Sequence, residues 1–432
     1  MKACSLLEGV VECMQRLVIQ GGHRLEGNLA VHGAKNSALP LLAATILGKS
    51  ESVLHNCPKL SDVDAACRIL SYLGCKCKRE ENTVVVDTAG LTHFEVPDGL
   101  MREMRSSIVF LGAILGRLGR CRLSFPGGCE LGPRPIDIHL TSLRQMGVVI
   151  REEHGYLDCA VDKRLRGAKL ALSFPSVGAT ENIMLAAVTA RGETEITNAA
   201  REPEIVDLAN FLIACGAKIQ GAGEGTIRIQ GVESLRGCEH RVIPDRIVTA
   251  TYLCCAAITG GELTLEQACA QDVEAILPIL EQMGCTIHTF GTSVYIHASK
   301  PLRAVKTIRT MPYPGFPTDA QALLMAVSTR CKGTTLFVEN IFDNRFKHVG
   351  ELVRLGADIK TEGRVAIVQG VERLWGATVE TTDLRGGAAL VVAGLCVEGI
   401  TTVGNIRHID RGYESIETCL NAVGARIRRE QE

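Results

Sequence analysis

Apolar and polar positions along the chain follow a long-range rhythm. An apolar helical stretch, a glycine and a short β-like run recur six times, with the glycines at Gly74, Gly147, Gly216, Gly284, Gly356 and Gly424. The first copy reads Leu70-Ser-Tyr-Leu-Gly74-Cys-Lys-Cys77 and the last Leu420-Asn-Ala-Val-Gly424-Ala-Arg-Ile427. The intervals are 73, 69, 68, 72 and 68 residues. A second marker interleaves with the first: an Ala-rich apolar helix that ends in glycine and leads into a strand. Its glycines are Gly48, Gly119, Gly192, Gly261, Gly333 and Gly399. Glycine suits a helix C-terminus because it enters the left-handed region without steric cost. Two registers keeping one period six times are the signature of a repeated structural unit.

Each unit of about 70 residues thus predicts two helices and several strands. The Ala-rich helix is apolar nearly all round, which marks it as buried. The other is amphipathic and opens with acidic residues, which favour helix N-termini. These openings are Ser61-Asp-Val-Asp64, Pro135-Ile-Asp137, Pro203-Glu-Ile-Val-Asp207, Gln271-Asp-Val273 and Asp410-Arg-Gly412. Buried helices wrapped in sheets reverse the usual layer order. Six units divide naturally into two domains of three. The division is placed near Pro244, where a new Ala-rich helix begins, with 35–243 as one domain and 1–34 plus 244–432 as the other.

Composition narrows the class. Apolar residues make up 46% of 432, enough for large cores, and the net charge of -1 argues against a general nucleic-acid binder. The longest uncharged apolar run, Ile247 to Gly261, is too short for a membrane span, which needs about 20 residues. It predicts a buried helix. The segment from Met1 to Gln15 carries Glu8 and Glu12 and has no apolar core of a secretory signal. The 18 cysteines, many in apolar stretches, then read as reduced thiols of a cytoplasmic protein. No C-x-x-C spacing occurs, so the usual zinc pattern is missing.

Reactive residue types gather at the starts of the six buried helices. They are Lys35-Asn36, Arg105-Ser-Ser107, Ser176-Val-Gly-Ala-Thr180, Asp245-Arg246, Thr318-Asp319 and Arg385-Gly-Gly387. Helix N-termini present free N–H groups and partial positive charge, so they attract anions. Equivalent ends of a symmetric repeat point the same way, and two domains facing each other would form an electropositive cleft. Ordinary capping explains any one such position equally well. The loop Pro126-Gly-Gly-Cys-Glu-Leu-Gly-Pro-Arg-Pro135 is irregular, with three Gly and three Pro. A thiol at Cys129 near Arg134 is a candidate nucleophile or acid, though an incidental exposed Cys accounts for the loop as well. Phosphate-loop, zinc-protease and nucleophile-elbow motifs are absent. The run Gly221-Ala-Gly-Glu-Gly225 lies between two β-like stretches and reads as a turn.

Taken together, several motifs resemble one family. They are Gly33-Ala-Lys-Asn36, Pro126-Gly-Gly-Cys129 with Gly132-Pro-Arg-Pro135, Ser176-Val-Gly-Ala-Thr180, Arg201-Glu-Pro-Glu-Ile-Val-Asp207, Pro244-Asp-Arg246, Phe316-Pro-Thr-Asp319, Asn344-Arg-Phe346, Thr382-Asp-Leu-Arg385 and His408-Ile-Asp-Arg-Gly-Tyr413. In this order, from about Leu17 to Arg428, they are similar to the UDP-N-acetylglucosamine 1-carboxyvinyltransferases. The resemblance implies a two-domain inside-out α/β barrel with three repeats per domain. It implies addition of phosphoenolpyruvate to the 3-hydroxyl of UDP-N-acetylglucosamine and elimination of phosphate, the first committed step toward peptidoglycan.

By the same resemblance, Lys35, Asn36, Arg134, Arg345, Arg385 and Arg411 would meet phosphoenolpyruvate, guanidinium groups suiting its phosphate and carboxylate. Arg105, Arg134, Pro135, Ile136, Asp137, Ile138, Ser176, Val177, Gly178, Asp319 and Ile341 would contact the sugar nucleotide. Asp319 would be the base at the 3-hydroxyl, with Lys35 and Arg411 also catalytic. Cys129 would be the thiol of a closing loop, acting as acid or covalent partner, and the residue that fosfomycin alkylates in the family. No metal, bound organic cofactor, nucleic acid or membrane partner is implied.

Two features depart from the family pattern. Phe174-Pro175 stands where some members have Lys two residues before the Ser-Val-Gly, which bears on one uridine or phosphate contact. About a dozen residues precede the family's usual start, so either Met14 is the initiator or residues 1–13 form a short helix. Two other readings remain open. One is 5-enolpyruvylshikimate-3-phosphate synthase, which shares fold and donor but does not need the loop Cys. The other is a non-catalytic paralogue with a regulatory role.

Overall fold

The computed structural model describes residues 15–125, 136–298 and 301–431. Met14, Cys129, Arg134 and Pro135 lie outside the described residues, as does the side chain of Arg105. Among the described residues the strands form six four-stranded sheets of one topology. In the sheet of Glu95–Val96, Arg120–Ser124, Tyr156–Ala160 and Val149–Glu153, the edge strand runs parallel to its neighbour. The other pairings are antiparallel. The other five sheets repeat this pattern. Alternation is clear in strands such as Thr226–Gln230, where Ile227 and Ile229 face a core while Arg228 pairs outward with Glu195.

Three of the sheets join segments far apart in sequence. Gln15–Gln20 lies between Ile400–Gly404 and Ile427–Gln431, placing Leu17 opposite Val403 and Arg429. Glu26–Ala30 runs parallel to Glu262–Glu266, and Glu239–Arg241 parallel to Ser52–His55. The chain therefore crosses between two bodies twice, at 31–34 and 242–245. The crossings are bonded together: Ala34 N donates to Ile243 O (2.7 Å) and Asp245 N to His32 O (2.9 Å). One core takes Leu17 to Val31 with Ile247 to Ile427, and the other Ala38 to Val242.

The sheets surround six buried helices. Lys35–Thr45, Phe110–Leu118 and Val177–Ala187 fill one core, and Arg246–Thr259, Thr318–Ser328 and Leu384–Gly394 the other. Small residues let these helices approach closely. A Cβ on Gly112 would stand 2.2 Å from the carbonyl oxygen of Asn182, so only glycine permits that crossing. Among the described residues no helix is long and apolar enough to cross a membrane.

The first glycine register is structural throughout: all six, Gly74 to Gly424, have positive φ. The second register is mixed. Gly119, Gly192, Gly333 and Gly399 have positive φ, but Gly48 and Gly261 do not. The left-handed cap of Arg246–Thr259 is Gly260, and Gly261 is glycine for space, since a Cβ there would lie 2.5 Å from Leu25 O. The acidic openings also split. Asp62, Asp64, Asp137 and Glu204 lie in first turns of helices. Gln271-Asp-Val falls in a 3₁₀ turn, Ala270–Val273, ahead of the helix Leu277–Met283. Asp410 opens no helix; it pairs with Arg429 at 2.7 and 2.9 Å. The Gly221–Gly225 run is the hairpin turn between Lys218–Gln220 and Thr226–Gln230.

Candidate active site

Four of the six buried helices begin with a side-chain oxygen that accepts from a first-turn N–H. Asp245 Oδ1 accepts from Ile247 N (2.8 Å) and Val248 N (3.0 Å), while Oδ2 accepts from Lys35 N at 3.2 Å. One carboxylate thus holds the starts of two helices from different cores, side by side. Asp383 caps Leu384–Gly394 through Arg385 N and Gly386 N. Ser176 caps Val177–Ala187 through Ala179 N. The second opening, Arg105–Val109, is a 3₁₀ turn that leads into Phe110–Leu118. Capping satisfies the orphan N–H groups of these ends.

Two ion clusters stand on these ends. In the first, Lys35 Nζ lies 2.7 Å from Asp62 Oδ2, and Arg411 reaches the same carboxylate through Nε (2.8 Å) and Nη2 (3.2 Å). Asp62 is 1% exposed and sits in the first turn of Ser61–Tyr72. Burial disfavours its charge, but Lys35 and Arg411 outweigh burial and hold its pKa below the usual carboxylate value. Burial lowers the Lys35 pKa, with Arg411 and Arg385 adding to the effect and Asp62 opposing it. Lys35 and Asp62 belong to one core and Arg411 to the other, so this cluster ties the two bodies. Lys59 N, which donates to Glu414 Oε1 at 2.5 Å, reinforces it.

In the second cluster, Asp319 Oδ1 accepts from Arg345 Nη2 (2.8 Å) and Oδ2 from Arg385 Nε (3.1 Å). Both guanidinium groups are buried, whereas the Asp319 side chain keeps 29% of its surface. Arg345 also donates to Thr318 O, fixing the helix start that carries Asp319. Arg385 Nη1 donates to Tyr413 Oη (3.3 Å), which meets Thr251 Oγ1 at 2.9 Å. Against burial, Asp319, Tyr413 and Asp245 push the Arg385 pKa up, so its charge is permanent. Arg385 is also one of the charges that lower the Lys35 pKa, after burial and Arg411.

A third region joins the segments Ile136–Ile138 and Ser176–Gly178. Asn182 Nδ2 bonds His139 Nδ1 (3.0 Å), Ile108 O (3.1 Å) and Gly178 O (3.3 Å), and Asn182 Oδ1 accepts from Gly112 N (2.7 Å). One amide therefore links the helix Asp137–Gln145 to the turn after Arg105 and to the start of Val177–Ala187. Burial pushes the His139 pKa down to about 4, so the imidazole is neutral. Ile341 is set by Glu339, a buried carboxylate that accepts from Ile341 N (2.8 Å), Phe342 N (3.1 Å), Thr310 Oγ1 (3.0 Å) and Thr318 Oγ1 (3.1 Å). Asn36, half-buried, follows Lys35 on the same helix.

This constellation is a set of fixed cations around one accessible carboxylate, between two three-unit bodies. The sequence matches the EPSP synthase (3-phosphoshikimate 1-carboxyvinyltransferase) family over residues 19–420. It is 53% identical over 414 residues to UDP-N-acetylglucosamine 1-carboxyvinyltransferase 2 of Caldanaerobacter subterraneus, covering 96% of this chain and 99% of that protein. With UDP-N-acetylglucosamine 1-carboxyvinyltransferase 1 of Symbiobacterium thermophilum the identity is 50% over 425 residues, covering 97% and 96%. The chain belongs to the UDP-N-acetylglucosamine 1-carboxyvinyltransferase family. Among solved structures, the enolpyruvyl transferase NikO from Streptomyces tendae superposes with a TM-score of 0.88 at 26% identity, covering 97% of this chain and all of that one. An EPSP synthase from Acinetobacter baumannii shares the fold, with a TM-score of 0.75 at 19% identity, covering 97% of this chain and all of that one.

Of the residues the family resemblance singles out, the structure brings Lys35 to Arg411 and Asp319 to Arg345 and Arg385. It joins 136–138 to 176–178 through His139 and Asn182. Cys129, Arg134 and Pro135 lie outside the described residues. Sequence reasoning missed Asp62, Glu339, Asp383 and Tyr413 as parts of a site. Asp62 was visible only as an acidic helix opening, and Asp383 and Tyr413 only inside longer motifs.

Proposed function

We propose that this protein transfers the enolpyruvyl group of phosphoenolpyruvate to the 3-hydroxyl of UDP-N-acetylglucosamine and releases phosphate, supplying the peptidoglycan precursor pathway in the cytoplasm. The observation that carries the reading is Asp319, an accessible carboxylate gripped by Arg345 and Arg385, with Arg385 also among the charges that, after burial and Arg411, lower the Lys35 pKa.

In this reading Lys35, Arg411 and Arg134, with Asn36 beside them, receive the phosphate and carboxylate of phosphoenolpyruvate. Guanidinium groups bind such oxygens in pairs. A substrate anion entering beside Asp62 would take over cations that this carboxylate holds in the free protein. Asp319 takes the proton of the attacking 3-hydroxyl, and its two guanidinium partners fix its direction. The segments 136–138 and 176–178, with Arg105 and Ile341, receive the sugar nucleotide. Cys129 delivers the proton to the methylene carbon of phosphoenolpyruvate. A positioned acid or base contributes about 10²–10⁴-fold.

The test is phosphate release from phosphoenolpyruvate with UDP-N-acetylglucosamine or shikimate 3-phosphate as acceptor. Asp319→Asn and Cys129→Ala run alongside. Release with UDP-N-acetylglucosamine alone, reduced at least about 10²-fold in Asp319→Asn, is the expected result. Release with shikimate 3-phosphate, or an unimpaired Asp319→Asn, would overturn the acceptor or the base respectively. No release from folded protein with either acceptor would favour a non-catalytic paralogue.

A further inference from the structure

Two cysteine thiols outside the ion clusters are in direct contact. Cys215 caps the C-terminus of the helix Pro203–Ala214, and Cys238 precedes the strand Glu239–Arg241. Their Sγ atoms lie 3.3 Å apart, Cys215 donating to Cys238. A disulfide bond at roughly 2.05 Å is about an ångström of sulfur movement away. The two thiols are unequal. Cys215 is buried, whereas Cys238 keeps partial access to solvent. The hydrogen bond from Cys215 lowers the Cys238 pKa, and His240 and Arg236 lower it further against burial. That same bond and burial raise the pKa of Cys215. An accessible, more acidic thiol beside a buried partner is the arrangement that thiol–disulfide exchange requires. By contrast Cys121, Cys254 and Cys255 are fully buried, and burial pushes their thiols up.

We propose that Cys215 and Cys238 form a modification site that closes a reversible intrachain disulfide by exchange with a small-molecule disulfide. The Cys238 thiolate attacks one sulfur of the oxidant, breaks its S–S bond and releases one small thiol. The Cys215 thiol then loses its proton to solvent and attacks Cys238 Sγ, and the second small thiol leaves as a thiolate that takes up a proton. The protein loses two hydrogens, and the oxidant is reduced to two thiols.

The position gives the bond a consequence. Just beyond Cys238, His240 Nε2 meets Asp207 Oδ1 at 2.8 Å, and Ile243 N donates to Asp207 Oδ2 at 3.4 Å. Ser37, on the helix that carries Lys35, also bonds Asp207 Oδ2. Asp207 lies on the helix that Cys215 caps. The disulfide would therefore fasten the start of the segment that feeds the return crossover at 242–245 to the end of the helix Pro203–Ala214, and oxidation stiffens that crossover.

The test uses the full chain treated with oxidised glutathione, quenched in acid, blocked with N-ethylmaleimide and digested without reductant. A peptide pair linked through Cys215 and Cys238, absent after dithiothreitol, is expected by mass spectrometry. Oxidation should also raise the melting temperature of the parent but not of Cys238→Ser, and slow amide exchange at 239–245. Cys238 recovered with glutathione or maleimide and no link to Cys215 would overturn the site. So would a link formed only between Cys67 and Cys77, two further partly buried thiols. A Cys215–Cys238 link with unchanged exchange at 239–245 would overturn the coupling to the crossover. None of these readouts depends on the enolpyruvyl transfer reaction.

Discussion

Asp62 is the residue on which cations from both bodies converge. Removing it leaves Lys35, with a side chain 10% exposed, beside Arg411 without a counter-charge. Uncompensated buried charge of this kind costs about 3–5 kcal/mol, so Asp62→Ala should lower the denaturation midpoint clearly. The carboxylate's own pKa is depressed in the folded state. Its stabilising contribution is therefore present above the unfolded value of 3.8 and is lost only as pH falls through the lower folded value. Tyr413 tests a finer point. Tyr413→Phe keeps the ring but removes the hydroxyl that receives Arg385. Losing one such bond is worth about 1.5 kcal/mol, so kcat should fall about tenfold while KM for phosphoenolpyruvate stays near the parent value. An equal loss in thermal stability with unchanged kcat would give Tyr413 a purely structural role.

At the scale of elements, the close helix crossing and the amide bridge are the points most sensitive to change. Gly112→Ala puts a Cβ 2.2 Å from a backbone oxygen of the Val177–Ala187 helix. Backbone must shift, and overpacking of this kind costs about 1–3 kcal/mol, readable as a lower denaturant midpoint. The bridge through His139 sets a pH dependence. Its folded pKa is near 4 and its unfolded value is 6.5. Between these values the unfolded chain binds more protons, so His139 stabilises fully above pH 6.5 and progressively less as pH falls toward 4. The full effect is on the order of 3 kcal/mol. His139→Gln should flatten the stability profile across that window. A profile parallel to the parent's would show that His139 is not the titrating group. Buried Glu181, whose pKa burial raises, acts with the opposite sign, so the comparison must be variant against parent.

At the scale of the molecule, two bonded crossovers connect the bodies, and ion pairs run between them. Arg411–Asp62 and Arg246–Glu204 are two of these, each made on a buried carboxylate. Arg246 keeps its charge because Glu204 outweighs the cost of burial. Arg411→Ala removes one tie and should enlarge the radius of gyration of the ligand-free protein in small-angle scattering. An unchanged radius would mean that the crossovers alone set the spacing. The six-sheet architecture was readable from the glycine rhythm, because a left-handed helix end is a local requirement that one residue type meets. All six glycines of the first register have positive φ. In the second register Gly261 serves close packing against Leu25 O, a demand set by a segment more than 200 residues away.

By itself the sequence determined the local structure: the period, the buried Ala-rich helices and the polar residues at their starts. These follow from side-chain pattern and capping within a few residues. Only the tertiary structure decided which of those starts meet. Lys35 reaches Arg411 through Asp62, and Asp319 lies between Arg345 and Arg385, because sheets pair strands as distant as Gln15–Gln20 and Ile427–Gln431. Asp62, read along the chain, is one more acid in a helix opening. Its burial between two cations exists only once the crossovers set one body against the other, since electrostatic partnership depends on distance in space and on exclusion of water.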